Sequence, residues 1–72
     1  MATLKEQIEA LRDQCGDETS RFNCEMILDQ MEDPGYLARI KPRLERTVKN
    51  QSLPQGLRDT AEKLLEILAR DP

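Results

Sequence analysis

The chain has 72 residues, of which 35% are charged and 38% hydrophobic, and its formal net charge is −3. A chain of this length has enough apolar residues for one small core, so we expect a single domain over residues 1–72. Apolar runs such as Met26 to Leu28 are no longer than three residues, whereas a transmembrane helix needs about 20. The N-terminus also has no apolar stretch of a secretory signal. We therefore expect a soluble cytoplasmic protein.

The first predicted helix covers residues 4–15. Thr3 precedes it and Glu6 follows three positions later, which is the pattern of a capping box. Gly16 then suits the left-handed backbone that ends many helices. Because its apolar residues recur at helical spacing, we expect them to face the core. These residues are Leu4, Ile8, Leu11 and Cys15.

The second predicted helix covers residues 18–32 and has Asp17 as its cap. Its main apolar face consists of Cys24, Ile27, Leu28 and Met31. Phe22 and Met26, four residues apart, form a second apolar face on nearly the opposite side. A helix that is apolar on two sides is either central in its bundle or carries a patch for a partner. We favour the central position, because small domains seldom expose large apolar patches.

The third predicted helix covers residues 34–49, with Asp33 as its cap and Pro34 in the first position. Its apolar stripe consists of Leu37, Ile40, Leu44 and Val48. Pro42 removes a backbone hydrogen bond and crowds the carbonyl of Ala38, so the segment is either one kinked helix or two short helices. The stripe keeps its phase on both sides of Pro42, which favours a single helix kinked there.

The fourth predicted helix covers residues 53–70. Ser52 and Gln55 are spaced as a capping box, and Pro54 would lie in the first turn. Its wide apolar face consists of Leu57, Ala61, Leu64, Leu65 and Leu68. Because the connections are short, consecutive helices should pack antiparallel. We therefore predict an all-α fold, a compact single-domain four-helix bundle with its third helix kinked at Pro42. The alternative is two stacked helical hairpins, as in an α-solenoid.

The residue types that carry most enzyme and metal chemistry are scarce. The chain has no histidine and only two cysteines, which cannot complete a tetrahedral zinc site by themselves. Cys15 and Cys24 lie on apolar stripes, so we interpret them as buried thiols, the alternative being a redox pair between adjacent helices. The acidic pairs lie on polar helix faces. We therefore expect no catalytic, cofactor-binding or metal-binding residues, and an enzyme is the least favoured class.

Basic residues are concentrated in the third helix. Residues 1–36 contain nine acidic and three basic side chains, whereas residues 37–72 contain eight basic and five acidic ones. Arg39, Arg43 and Arg46 follow one another at i, i+4 and i+7, on the side of the helix opposite its apolar stripe. We call these three arginines the basic ridge.

Three interpretations of the basic ridge compete. The first is an ordinary solvated helix face, partly paired with the acidic first two helices, which would show the same arrangement. The ridge can also be a docking surface for an acidic or helical protein, to which Tyr36 and the Phe22–Met26 patch add apolar anchors. The third interpretation is a nucleic-acid-binding helix-turn-helix, which the acidic chain and the kink at Pro42 disfavour. As function we predict a protein–protein interaction or regulatory module that binds another protein or a second copy of itself.

Overall fold

The computed structural model describes residues 3–70, so residues 1, 2, 71 and 72 of the predicted domain lie outside it. The part described contains four helices and no strand: α1 (Leu4–Gln14), α2 (Glu18–Gln30), α3 (Pro34–Lys49) and α4 (Gln55–Arg70). Every helix begins and ends within two residues of its predicted position. The all-α prediction is therefore confirmed.

Side chains cap the first three helices as the sequence predicts. The Thr3 hydroxyl accepts a hydrogen bond from the Glu6 N–H at 3.1 Å, and the Glu6 carboxylate accepts one from the Thr3 N–H at 3.2 Å. Asp17 accepts from the Ser20 N–H at 2.9 Å, and Asp33 caps α3 in the same way. These bonds satisfy backbone donors that have no partner inside the helix, which fixes where each helix begins.

The predicted left-handed end of α1 is wrong. Helix α1 ends at Gln14, and the backbone of the next residue, Cys15, is extended with φ −72° and ψ 131°. No glycine in the described chain has a positive φ, Gly16 included. The extended Cys15 residue therefore breaks the helix, and the turn does not depend on the conformational freedom of glycine.

The predicted cap of α4 is also wrong. The Ser52 backbone N–H donates to the Asn50 side-chain oxygen at 3.0 Å, so this segment forms a turn held by Asn50. The helix begins at Gln55, and the carbonyl of Pro54 accepts the first helical bond from the Arg58 N–H at 3.2 Å. Pro54 thus stands just before the helix and not in its first turn.

Helix α3 continues through Pro42, which excludes the alternative of two short helices. Pro42 is exposed, whereas Ile40 and Leu44 on either side of it are 8% and 4% exposed. The apolar stripe therefore reaches the core on both sides of the proline. The carbonyl of Ala38, which lacks its helical donor because proline has no N–H, belongs to an exposed residue that water can reach.

The helices pack as a closed bundle in which α2 and α4 lie on the short diagonal. Each of these two helices contacts all three others, whereas no Cα atoms of α1 and α3 lie within 8 Å of each other. Stacked hairpins would place α1 against α3, so the contact of α1 with α4 identifies the bundle. The radius of gyration is 11.4 Å, close to the value of about 11 Å for a compact chain of this length.

All four predicted stripes contribute to the core, which consists of Ile8, Leu11, Cys24, Ile27, Ile40, Leu44, Ala61, Leu64, Ile67 and Leu68. Thr60 and Ile67 are buried in addition to the predicted face of α4. Because α4 packs against three helices, it buries a wider arc than one stripe predicts. None of the four helices is long and apolar enough to cross a membrane.

Candidate functional site

Phe22 is exposed on the outer side of α2. Its side chain is 59% exposed, and among the described residues it is the one large apolar side chain in that state. Cys24 and Ile27, on the opposite side of α2, are buried at 0% and 1%. Although α2 contacts all three other helices, none of them covers Phe22. A central position in the bundle therefore does not account for the second apolar face of α2.

Acidic side chains border Phe22 on the side away from α3. Glu18, Glu25 and Asp29 are exposed and lie at positions −4, +3 and +7 relative to Phe22, which places them on one side of it on the helix. Two shallow depressions beside Phe22 are lined by these three residues together with Thr19, Met26 and one exposed basic residue, Arg21. We call Glu18, Glu25 and Asp29 the acidic edge. The sequence prediction overlooked it, although the spacing of these acids around Phe22 was a usable signal.

Met26 connects Phe22 to a groove between α2 and α3. This partly buried side chain lines a depression beside Phe22 and also lines the groove. The groove is lined from α2 by Asn23, Met26 and Ile27, and from α3 by Tyr36, Ile40, Arg43, Leu44 and Thr47. Its volume of about 30 Å³ has room for a water molecule. A small-molecule site needs about ten times that volume or more. The groove is therefore a seam on a surface that larger groups can contact.

Tyr36 forms part of the α3 wall of this groove. Its ring is half-buried and packs against the core. Its hydroxyl oxygen is buried and has no hydrogen-bond partner among the described residues. We therefore expect Tyr36 to shape the groove, and Phe22 to be the stronger anchor for a partner.

The basic ridge is exposed along α3 and is barely neutralised. Arg39, Arg43 and Arg46 are all exposed. Arg39 lies 3.9 Å from the Asp33 carboxylate with 76% of its side chain exposed, and such a pair contributes about 0–1 kcal/mol. Arg43 and Arg46 form no ion pair within residues 3–70. The interpretation of the ridge as an ordinary solvated face includes partial pairing with the acidic first two helices. Within residues 3–70, no ion pair joins the ridge to α1 or α2.

Phe22 shares a depression with Glu25, Met26 and Asp29, and Met26 shares the groove with Tyr36 and Arg43. Arg39 and Arg46 are exposed on α3 at helical spacings of −4 and +3 from Arg43. We call the surface formed by the acidic edge, Phe22, Met26, the groove and the basic ridge the α2–α3 face. Arg43 belongs both to the groove lining and to the ridge, so it joins the apolar centre to the basic side. Sequence spacing predicts each part within its own helix. The packing of α3 beside α2 brings the parts together.

The two cysteines offer a second chemical feature, away from this face. Cys24 is fully buried, and burial raises its pKa to about 12, with a further contribution from the nearby Cys15 thiol. Cys15 is partly buried, and its Sγ donates to the Leu11 carbonyl oxygen at 3.2 Å. The prediction of a buried thiol is confirmed for Cys24. Within residues 3–70 no three acidic or cysteine side chains are grouped to hold a metal ion.

Comparison with protein-family models, with curated proteins and with solved structures finds no match to this chain. Function therefore has to be inferred from the geometry and charge of the α2–α3 face. That face is where an uncovered aromatic side chain and unpaired charges of both signs occur together.

Proposed function

We propose that this protein is a protein–protein interaction module, cytoplasmic and without enzymatic activity, that docks its partner on the α2–α3 face. The exposure of Phe22 carries the proposal. Full burial of a phenylalanine side chain is worth about 1.5–3 kcal/mol, and much of this remains available because Phe22 is 59% exposed. A partner that covers Phe22 and Met26 gains this free energy, which the isolated chain does not use.

The surroundings of Phe22 support the same function. Protein interfaces combine an apolar centre with a polar or charged rim, and their strongest contributions come from aromatic residues and arginine. Here Phe22 and Met26 lie between carboxylates of the acidic edge and Arg43 of the basic ridge. Arg43 lines the groove beside Met26, so a partner that covers Met26 also approaches an unpaired guanidinium group.

Nucleic-acid binding by α2 and α3 is the second candidate, and the unpaired arginines of the basic ridge are the observation in its favour. The acidic edge opposes it, because carboxylates on the same face repel phosphates. The net charge of −3 also differs from the basic character of most phosphate-binding domains. We therefore rank nucleic-acid binding below protein docking.

Affinity capture with matched variants tests the proposal. We expect the wild-type chain to capture proteins from a lysate, and two variants, Phe22→Ser and the triple variant Arg39→Glu, Arg43→Glu and Arg46→Glu, to lose them. The control reverses three exposed basic residues away from the face, Lys5, Lys63 and Arg70, to glutamate. It changes net charge by the same amount and should retain capture. Circular dichroism checks that each variant remains helical.

Two outcomes would contradict protein docking at this face. The first is equal capture by the wild type and both face variants. The second is specific binding of DNA or RNA that the triple arginine variant abolishes and that weakens steeply with salt, as phosphate contacts do. Copurified nucleic acid is easy to detect, since the chain has no tryptophan and one tyrosine and therefore absorbs weakly at 280 nm.

A further inference from the structure

The α2–α3 face is complementary to itself. Its two sides carry opposite net charge: the α2 side has the three carboxylates of the acidic edge beside one basic residue, Arg21, and the α3 side has the three guanidinium groups of the basic ridge. Its centre is apolar, with Phe22 exposed and Met26 partly buried. From this arrangement we infer that the docked protein is a second copy of this chain, in a two-fold symmetric dimer. The inference rests on the docking function proposed above.

The symmetry follows from the order of the charges across the face. A two-fold interface places the same patch of both copies against each other. If the axis runs along the groove, α2 of each copy lies over α3 of the other. The acidic edge of each copy then meets the basic ridge of the other, and the two Phe22–Met26 centres meet in the middle. Both sets of charges are compensated at once.

The spacing along the helices agrees with this axis. Glu25 and Asp29 are four residues apart on α2, as are Arg39 and Arg43 on α3. The short connection from Met31 to Asp33 makes α3 antiparallel to α2. Asp29 and Arg39 are therefore the charged residues of the two series nearest to that connection, and Glu25 and Arg43 are the next ones away from it. An axis parallel to the helices keeps the connections of the two copies at the same end. The acidic and basic series therefore oppose each other over the same length of helix.

Other occupants fit the face less well. A uniformly acidic partner is attracted by the basic ridge and repelled by the acidic edge, and a basic partner meets the reverse. Nucleic acid has the same difficulty as an acidic protein. A second copy presents both signs in the required order. Association also suits a chain of 72 residues, which buries a limited share of its surface when alone.

Sedimentation equilibrium with charge-reversed variants tests the dimer. One variant carries Glu18→Lys, Glu25→Lys and Asp29→Lys, and the other carries Arg39→Glu, Arg43→Glu and Arg46→Glu. In a dimer of either variant alone, charges of the same sign would face each other, so we expect the dissociation constant of the dimer to rise by about tenfold or more. An equimolar mixture of the two restores complementary edges and should regain wild-type association as a species of two chains. The off-face control variant, with Lys5, Lys63 and Arg70 changed to glutamate, should associate like the wild type.

Several results would overturn the inference. These are a wild type that stays monomeric at high concentration, a mixture that does not associate, and assembly beyond two chains. A monomeric wild type whose lysate partners still depend on Phe22 and Arg43 would overturn the dimer alone and leave the docking function intact. Self-association unaffected by both charge-reversed variants and by Phe22→Ser would overturn the dimer at this face.

Discussion

Asp17, which caps α2, lies against Gly56 in the first turn of α4. Its Oδ2 atom accepts the Ser20 N–H at 2.9 Å, and a β-carbon added to Gly56 would lie 3.5 Å from its Oδ1 atom. One carboxylate is thus close to the beginnings of two helices, where the helix dipoles favour negative charge. The connection between α1 and α2 thus lies beside the first turn of α4.

We predict that Asp17→Ala makes stability less dependent on acid pH. The Ser20 backbone N–H lowers the pKa of Asp17 below its ordinary value of 3.8. The bond therefore stabilises the folded state above that pH, and the benefit is lost as the pH falls through the lowered pKa. Thermal unfolding should show the wild type more stable than Asp17→Ala at pH 7, with a difference that shrinks below pH 3.8. The exposed Glu62→Ala change is the control, and an equal difference at all pH values would contradict the prediction.

We predict that Gly56→Ala stabilises the protein by up to about 1 kcal/mol, the difference in helix propensity between the two residues. The added carbon would make an ordinary contact with Asp17 at 3.5 Å, and the backbone has no positive φ there. Urea unfolding should show a higher midpoint with an unchanged slope. In the contrasting variant Gly35→Ala the new carbon would lie 3.2 Å from Asp33 Oδ1, so the cap of α3 must shift. A gain for Gly35→Ala that equals or exceeds that for Gly56→Ala would refute this account.

We predict that Tyr36→Phe raises the free energy of unfolding by about 1 kcal/mol, because a buried polar group without a partner is costly. The hydroxyl oxygen of Tyr36 is such a group, whereas its ring packs against the core and is retained in phenylalanine. Chemical unfolding followed by circular dichroism measures the change. Tyr36→Leu, which removes the ring as well, should be less stable than Tyr36→Phe. A loss of stability in Tyr36→Phe would show that the hydroxyl contributes to folding.

We predict unequal reactivity of the two thiols. The raised pKa of Cys24, about 12, leaves almost no thiolate at pH 8, and the side chain is fully buried. Cys15 is partly buried, so in the native protein it should react with a disulfide reagent at least about tenfold faster. Single Cys15→Ser and Cys24→Ser variants assign the two phases. The unfolding rate is measured as a control, to show that both thiols react faster than the protein unfolds. Equal reaction rates of Cys15 and Cys24 under that condition would contradict the prediction.

The same shift has a consequence at alkaline pH. Cys24 has a raised pKa in the folded state, so its protonated form stabilises the fold fully below its ordinary pKa of 9.0. That contribution is lost as the pH rises from about 9 toward 12. Wild-type stability should therefore fall over this range more steeply than that of Cys24→Ala. Parallel curves for the two proteins would rule out the shift.

Local signals predict most of the fold. Thr3, Asp17 and Asp33 cap their helices as expected, because each has its backbone partner two or three residues away. Ser52 fails as a cap because α4 begins only at Gln55, and Ser52 instead belongs to a turn in which its backbone N–H donates to the Asn50 side chain. Both side chains suit a turn or a cap, and the choice between them depends on where α4 packs.

The candidate site is less accessible from sequence, because it is formed by two helices. The spacing of Arg39, Arg43 and Arg46 predicts the basic ridge, and the pair Phe22 and Met26 predicts an apolar patch. Whether that patch is covered depends on how four helices share one core. The spacing gives no distance between α2 and α3, so the groove joining Met26 to Arg43 appears only in the structure.

The diagonal arrangement of the bundle also determines how a local perturbation spreads. Because no Cα atoms of α1 and α3 lie within 8 Å of each other, we expect a change at one to influence the other mainly through α2 or α4. Paired substitutions such as Ile8→Val with Val48→Ala should then be nearly additive in free energy. Evolution could accordingly vary the ridge-bearing helix without compensating changes in the first helix, while the two diagonal helices would constrain each other's sequence.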